Sequence, residues 1–368
     1  MAKGLDSPFS NILLRLKFNR HMAEVKRLQF HMKQSEARIT GTVRNWETRP
    51  KVKFEMIAPQ FDIDLLIPKG DRSPIRDILE SVADTQTIAG EISFGRAWYK
   101  DLNFQNLKAQ LQIKDGHIMI KKIAGKIESG KIKGRLLVHL PVRQPATVKT
   151  WIIMEDVPFQ PLETTFLSEE NIKERLITGN VSVRGIVEGH GKDIRGVFPT
   201  LNGNLKVKIN DGRIKGGTVI PKILALMNLP AVLQGKVDLQ REGYPFDTQS
   251  GTLSIENGVI TSEDIIMDGP ILKLSGVGSY SLVQDQLDLA VAASPLGHYF
   301  NLLREIPLFG LLLDGEQKGI DMALFDVKGS ISDPIITPLP LESFAAGLTA
   351  VSYTHLRAHE TLRYLLCR

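Results

Sequence analysis

Apolar and polar residues alternate with a period of two along most of this chain. Phe61, Ile63, Leu65 and Ile67 share one phase, as do Leu107, Ala109, Leu111 and Ile113, then Leu205, Val207 and Ile209, and later Leu287, Leu289, Val291 and Ala293. Successive strand side chains point to opposite faces, so each run predicts a strand with one apolar face. Leu253 and Ile255 repeat the pattern just before an Asn-Gly pair. The longest alternation, ILKLSGVGSYSLV, carries Leu272, Leu274, Tyr280 and Leu282 in one phase, with Gly276 and Gly278 filling that same phase. Small residues there let a sheet bend or let another group approach closely.

Three segments align on their turns: LQIKDGHI at Asp115-Gly116, VKINDGRI at Asp211-Gly212 and LSIENGVI at Asn257-Gly258. Asp-Gly and Asn-Gly supply the positive φ angles of a tight two-residue hairpin. Turn chemistry therefore accounts for Asp115 and Asp211, and the repeat predicts a β-meander with insertions. Helices are few. Ser73 followed by Pro74 opens a predicted helix over 73–84, with Ile75, Ile78, Leu79 and Val82 on one face. A second is predicted over 168–177, and apolar helices over 219–229 and 298–306 would plug or cap an apolar face, or pack as ordinary core.

Composition narrows the class. Of 368 residues 42% are hydrophobic, 24% charged and 7% aromatic, which excludes disorder and demands burial of a large apolar surface. The net charge is +5, but Lys and Arg fall at alternate strand positions, as at Lys108, Lys114, Lys206 and Lys208, which predicts an outward, solvated sheet face. No nucleic-acid partner is expected. The single cysteine is Cys367, so residues 1–350 offer neither a disulfide scaffold nor a thiolate zinc site. The longest apolar stretches, 219–233 and 306–313, fall short of the ~20 uninterrupted residues of a spanning helix. The first residues lack the apolar core and cleavage pattern of a signal peptide.

Catalytic signatures are missing. Gly191-Lys192 has Ile186 where a phosphate loop needs its first glycine and Asp193 where Ser or Thr would bind magnesium. Gly276-Val277-Gly278 lacks the third glycine of a dinucleotide fingerprint. His21, His31, His117, His139, His190 and His298 show no ligand spacing, and Trp46, Trp98 and Trp151 are isolated along the chain. The expectation is therefore no enzyme, no catalytic residue, no metal and no cofactor. An outer-membrane barrel would require paired aromatic girdles. One-sided sheets suit a closed sandwich or an open trough; in a trough, an aliphatic chain of about sixteen carbons would gain roughly 12 kcal/mol at ~0.8 kcal/mol per methylene, before entropic costs.

The stretch GTLSIENGVITSEDIIMDGPILKLSGVGSYSLVQDQLDLAVAASPLG, followed by EIPLFGLLLDGEQKGIDMALFDVKGSISDPIITPLPLESF, resembles the C-terminal region of AsmA-like proteins of Gram-negative bacteria. Residues 90–134 are similar to that family's repeated unit, and 39–68 match more loosely. The resemblance to the AsmA, TamB and YhdP group implies a mainly β fold with a few short helices. In it a long twisted antiparallel sheet curls into an open, taco-like groove of repeating β units. It also implies periplasmic transfer of phospholipid between inner and outer membrane, passively along an apolar groove, in support of the cell envelope. The alternative implied role is a scaffold for outer-membrane protein assembly, with an outer-membrane or envelope protein as partner. The family's N-terminal inner-membrane helix is not recognisable here, so Met1 is expected to be an internal start. On this reading the groove is lined by Leu107, Leu111, Ile113, Leu205, Val207, Ile209, Leu253, Ile255, Leu272, Leu274, Leu287, Leu289 and Val291.

The expected organisation is groove repeats over 1–150 with the helix near 73–84, a connecting segment over 151–196 with a short helix, and an AsmA-like β domain over 197–350 with apolar helices. The remaining VSYTHLRAHETLRYLLCR, 351–368, resembles a translated sequencing adapter and is expected to be foreign to the fold. Without it the net charge is +3.

Overall fold

The computed structural model describes residues 10–66, 86–139, 145–166, 177–191, 194–214, 219–226, 243–270, 272–295, 322–331 and 333–339. The helices expected over 73–84 and 298–306, most of that over 168–177, and the tail 351–368 lie outside the described residues. The chain divides into two compact units, Met1–Asn210 with Thr252–Ile260, and Asp211–Gly251 with Thr261–Arg368. Its strands belong to one hydrogen-bonded sheet that does not close into a barrel, a mainly β fold as the alternation predicts.

Ten strands lie within unit 1: β1 (Ser10–Phe18), β2 (Met22–Met32), β3 (Ser35–Arg44), β4 (Lys51–Asp62), β5 (Thr87–Tyr99), β6 (Leu102–Lys114), β7 (His117–Ile127), β8 (Gly130–His139), β9 (Ala146–Pro158) and β10 (Ile177–Gly191). Each pairs with the next in sequence. All these pairs are antiparallel except β4–β5, which is parallel. A parallel pair needs a crossover of a dozen or more residues, and 63–86 supplies it. That crossover also corrects one expectation. Ile63–Leu66 is a 3-10 turn and the strand ends at Asp62; the Asp64 backbone N–H donates to the Asp62 carboxylate, turning the chain out of the sheet.

β11 (Asn202–Ile214), β12 (Tyr244–Glu256) and β13 (Val259–Asp268) each carry residues of both units. Unit 2 adds β14 (Leu272–Ser281), β15 (Gln286–Pro295), β16 (Ala323–Gly329) and β17 (Ile335–Leu339), paired antiparallel in that order. Among the described residues the helices are short: α1 (Phe159–Phe166), α2 (Ile194–Val197) and α3 (Val219–Leu226). α1 was not expected; the Lys100 ammonium donates to the Thr165 carbonyl and ties its end to the β5–β6 turn. α3 is the described part of the helix predicted over 219–229.

Two of the three predicted hairpin turns form. Asp115 and Gly116 have φ of 49° and 73° between β6 and β7, and Asn257 and Gly258 have 49° and 75° between β12 and β13. The third does not: β11 runs unbroken through Asp211-Gly212. Asp211 alone is left-handed there, with φ of 51°. A two-residue hairpin needs two successive positive φ angles, whereas a single one produces only a local kink in a continuing strand.

An apolar sheet face as candidate binding surface

In unit 1 the register brings the alternating apolar positions of successive strands into rows that cross the sheet. One row runs Phe18, Ala23, Val43, Val52, Ile88, Ile113, Ile118, Val138, Val148 and Gly189, each opposite the next. The neighbouring row runs Leu16, Val25, Gly41, Phe54, Gly90, Leu111, Ile120, Leu136, Thr150 and Val187. A third begins Leu14, Leu28, Ile39, Met56, Ile92 and Ala109. At a strand spacing of ~4.8 Å, a full row measures roughly 40 Å along the sheet. Thr150 is the one polar member of the first two rows, and its hydroxyl donates to the Arg135 carbonyl of β8 at 3.2 Å. The face therefore presents methyls and methylenes along these rows, with no charge on them.

The opposite face is polar along most of its extent. Lys53, Glu55, Glu91, Lys108, Lys133 and Arg184 are exposed, while their neighbours on the apolar side are half-buried or buried. In a flat single layer the two faces would be equally accessible. From β2 to β10 the apolar side is the less accessible one, as on the inner face of an open sheet curled into a trough.

Only parts of that inner face are closed. Met32, Ala37, Met56, Ala58, Phe61, Leu65, Phe94 and Ala97 form one buried cluster, in which the Phe61 and Phe94 rings stack at 4.9 Å. Ile113 and Ile118 form another, with Ile88, Leu111 and Val138 packed against it. Outside these clusters, on β6 to β9 of the same face, Ala109, Ile120, Leu136 and Ile152 are half-buried. They keep apolar area that a further aliphatic group can cover at about 25 cal/mol per Å².

The predicted lining residues divide between the two units. In unit 1, Leu107 and Leu111 are half-buried and Ile113 is buried; on β11, Leu205 and Val207 are half-buried and Ile209 is buried. Leu205 lies beside Gly185 of β10, which carries the face onward to β11. Lys108, Lys114, Lys206 and Lys208 are exposed, as the alternation predicts. Leu253 is half-buried and Ile255 buried on β12. In unit 2, Leu272, Leu274, Leu287 and Val291 are 0%, 6%, 7% and 7% accessible, whereas Leu289 is half-buried. These four are packed interior, with Phe325 and Val327 of β16 beside Val291 and Leu289. Among these described positions, most of the half-buried ones, Leu107, Leu111, Leu205, Val207 and Leu253, are on unit 1, with Leu289 on unit 2.

Several liners of that surface were missed in the sequence: Phe54, Ile120, Leu136, Ile152 and Val187. KVKFEMIA shows Val52, Phe54 and Met56 alternating as clearly as the runs singled out, but the rows exist only through pairing, which alternation alone does not give. Among the described residues no group of three or more His, Cys, Asp or Glu is placed to hold a metal. The His117 and His139 rings do meet, stacked at 4.4 Å between centroids on β7 and β8. Among the described residues no helix is long and apolar enough to cross a membrane.

A family model described as YhdP protein matches residues 6–336. Protein AsmA of Escherichia coli (strain K12) is 23% identical over 355 residues, covering 83% of this chain and 54% of that protein. The chain thus spans about half the length of this curated relative. No solved structure matches.

Proposed function

The chain belongs to the YhdP protein family, and from that membership and the apolar rows we propose that it is a segment of a periplasmic lipid-transfer bridge of the cell envelope. Phospholipid acyl chains lie against the inner face of the trough while headgroups remain in water. The observation that carries this reading is the inner face of unit 1: continuous apolar rows from β1 to β10, no charge on them, and half-buried members outside its two buried clusters. Such a face has no need of catalytic groups. Movement is passive, because each methylene leaving one row enters an equivalent environment at the next, and direction is set by supply and removal at the ends. In the full-length protein the proposed setting is the periplasm, with an anchor in the inner membrane.

A second reading, a scaffold for outer-membrane proteins, is favoured by β1. All nine of its residues are exposed, and Ile12, Leu14, Leu16 and Phe18 are 60%, 51%, 48% and 75% accessible. A strand of this kind can template a client strand by main-chain pairing. Native mass spectrometry with lipid extraction on the purified chain separates the two. Copurified phospholipid that is lost on charging Leu111 and Leu136 supports transfer; lipid-free protein that captures client strands through β1 supports the scaffold.

A further inference from the structure

The outer face of unit 1 is polar along most of its extent but changes character on β7–β10. There Met119, Leu137, Trp151, Ile153 and Ile186 occupy positions that alternation assigns to solvent, interleaved with Lys121, Lys133, Arg135, Lys149 and Arg184. The registers assemble them. Arg135, Trp151 and Ile186 lie opposite one another in one row; Met119, Leu137, Lys149 and Glu188 form the next; Lys133, Ile153 and Arg184 form a third. The Arg135 guanidinium sits 5.6 Å from the centre of the Trp151 ring. A concavity of about 310 Å³ opens between Lys121, Arg135, Leu137, Lys149, Trp151 and Ile186. Ile186 is 45% accessible beside it.

Charge decides the sign of the occupant. Glu188 bonds Lys149 at 2.6 Å and Lys121 donates to the neutral Gln112 at 3.1 Å. Arg135, Lys133 and Arg184 are left facing water around an apolar floor, with Glu155 and Glu188 the only acids in these three rows and their continuations on β8–β10. Size decides its class. Four strands and three rows span roughly 15 Å by 14 Å, about 200 Å², far below the ~800 Å² per partner of a stable protein interface. The cavity lies at the lower end of the ~300–1,000 Å³ range of small-ligand sites.

We infer that this outer patch is a binding site for an amphiphilic phosphate ester, its phosphate held by Arg135 and Lys121 and its aliphatic arm laid on Trp151, Ile186 and Leu137. Arg is suited to this because its planar fork meets two phosphate oxygens at once while its flat face stays on the indole. The site is on the opposite side of the sheet from the trough and does not depend on what the trough carries.

The test is calorimetric titration of the full chain with three probes: dihexanoyl phosphatidic acid below its micelle threshold, dihexanoyl phosphatidylcholine, and inorganic phosphate. A version with Trp46→Phe and Trp98→Phe, in which Trp151 is the one remaining tryptophan, reports by fluorescence whether binding occurs at this face. The expected result is saturable binding of the phosphatidic acid at least tenfold tighter than either other probe. It is accompanied by a Trp151 signal, is weakened tenfold or more by Arg135→Gln, and is only partly restored by Arg135→Lys. Equal affinity for phosphatidylcholine would overturn the anionic requirement. Equal affinity for inorganic phosphate would overturn the apolar half of the site. Binding without a Trp151 signal, or unchanged in a folded Arg135→Gln protein, would overturn the location.

Discussion

The ring of Phe54 on β4 lies over Gly90 of β5, where a Cβ would stand 2.4 Å from two of its ring carbons. Gly41 of β3 lies opposite Phe54 in the register, where a Cβ would stand 3.1 Å from the Phe54 Cβ. One large side chain is thus seated between two missing ones, which keeps the inner row continuous without crowding the strands. Gly90→Val is expected to lower stability by about 1–3 kcal/mol through overpacking, and Phe54→Ala in the same chain to recover part of the loss. Denaturant unfolding of the two single variants and the double variant measures this; additive losses would show that the ring and the glycine are not coupled.

The Tyr280 hydroxyl donates to the Asp285 carboxylate at 2.9 Å. Burial first, and then this bond and the nearby negative charge, push the Tyr280 phenol up to about 12. A folded-state value above the ordinary ~10 contributes stability that is fully present below about pH 10 and is lost as pH rises toward 12. Phenolate absorbance should show one late-titrating tyrosine, absent in Tyr280→Phe and shifted down in Asp285→Asn. Six tyrosines titrating together near 10 would contradict it.

Lys222 of α3 reaches Asp333 in the turn between β16 and β17 at 2.5 Å and also donates to the Pro334 carbonyl at 2.8 Å. This ammonium, by its hydrogen bond and its charge, holds the Asp333 carboxyl below its ordinary 3.8. A depressed carboxyl contributes stability above its unfolded value and loses it as pH falls through the folded one. Amide protection in α3, corrected for the intrinsic exchange rate at each pH, should therefore fall below about pH 4. Lys222→Gln should show a small part of that loss already at neutral pH, as befits an exposed pair; unchanged protection in that variant at both pH values would mean the helix is held by something else.

Because β1 is exposed along its length, Leu14→Lys and Phe18→Lys should leave the unfolding free energy within about 0.5 kcal/mol of the parent. They should also reduce self-association at high concentration, since charged edge residues oppose strand addition. Sedimentation at several concentrations checks both strand pairing and the scaffold reading, which requires these substitutions to abolish client capture.

The strands were legible because a sheet with one wet face imprints a period of two; Leu107 to Ile113 and Leu205 to Ile209 show it directly. The same rule misread Ile63 and Leu65, where a 3-10 turn leads the chain into a crossover, and nothing local distinguishes the two cases until Asp62 turns back on Asp64. Asp211-Gly212 failed because the dipeptide permits positive φ but does not compel two in succession. The candidate surface was legible in composition and not in place. Leu274 and Val291 alternate as cleanly as Leu111, yet they are packed interior while Leu111 is half-buried. Which apolar face stays accessible is decided by what covers it, and that is a tertiary property. The parallel β4–β5 pair and the meeting of Arg135 with Trp151 likewise depend on partners distant in sequence.

The central claim, that the inner face of unit 1 carries acyl chains, is tested most directly by photocrosslinking in cells. A photoreactive residue is placed at Leu111 or Leu136 on the inner face and at Lys53 or Glu91 on the outer face, away from the Trp151 patch. Phospholipid adducts from Leu111 and Leu136, and none from Lys53 and Glu91, are the predicted result. Adducts only from Lys53 and Glu91, or none from any of the four in a folded and expressed protein, would contradict it.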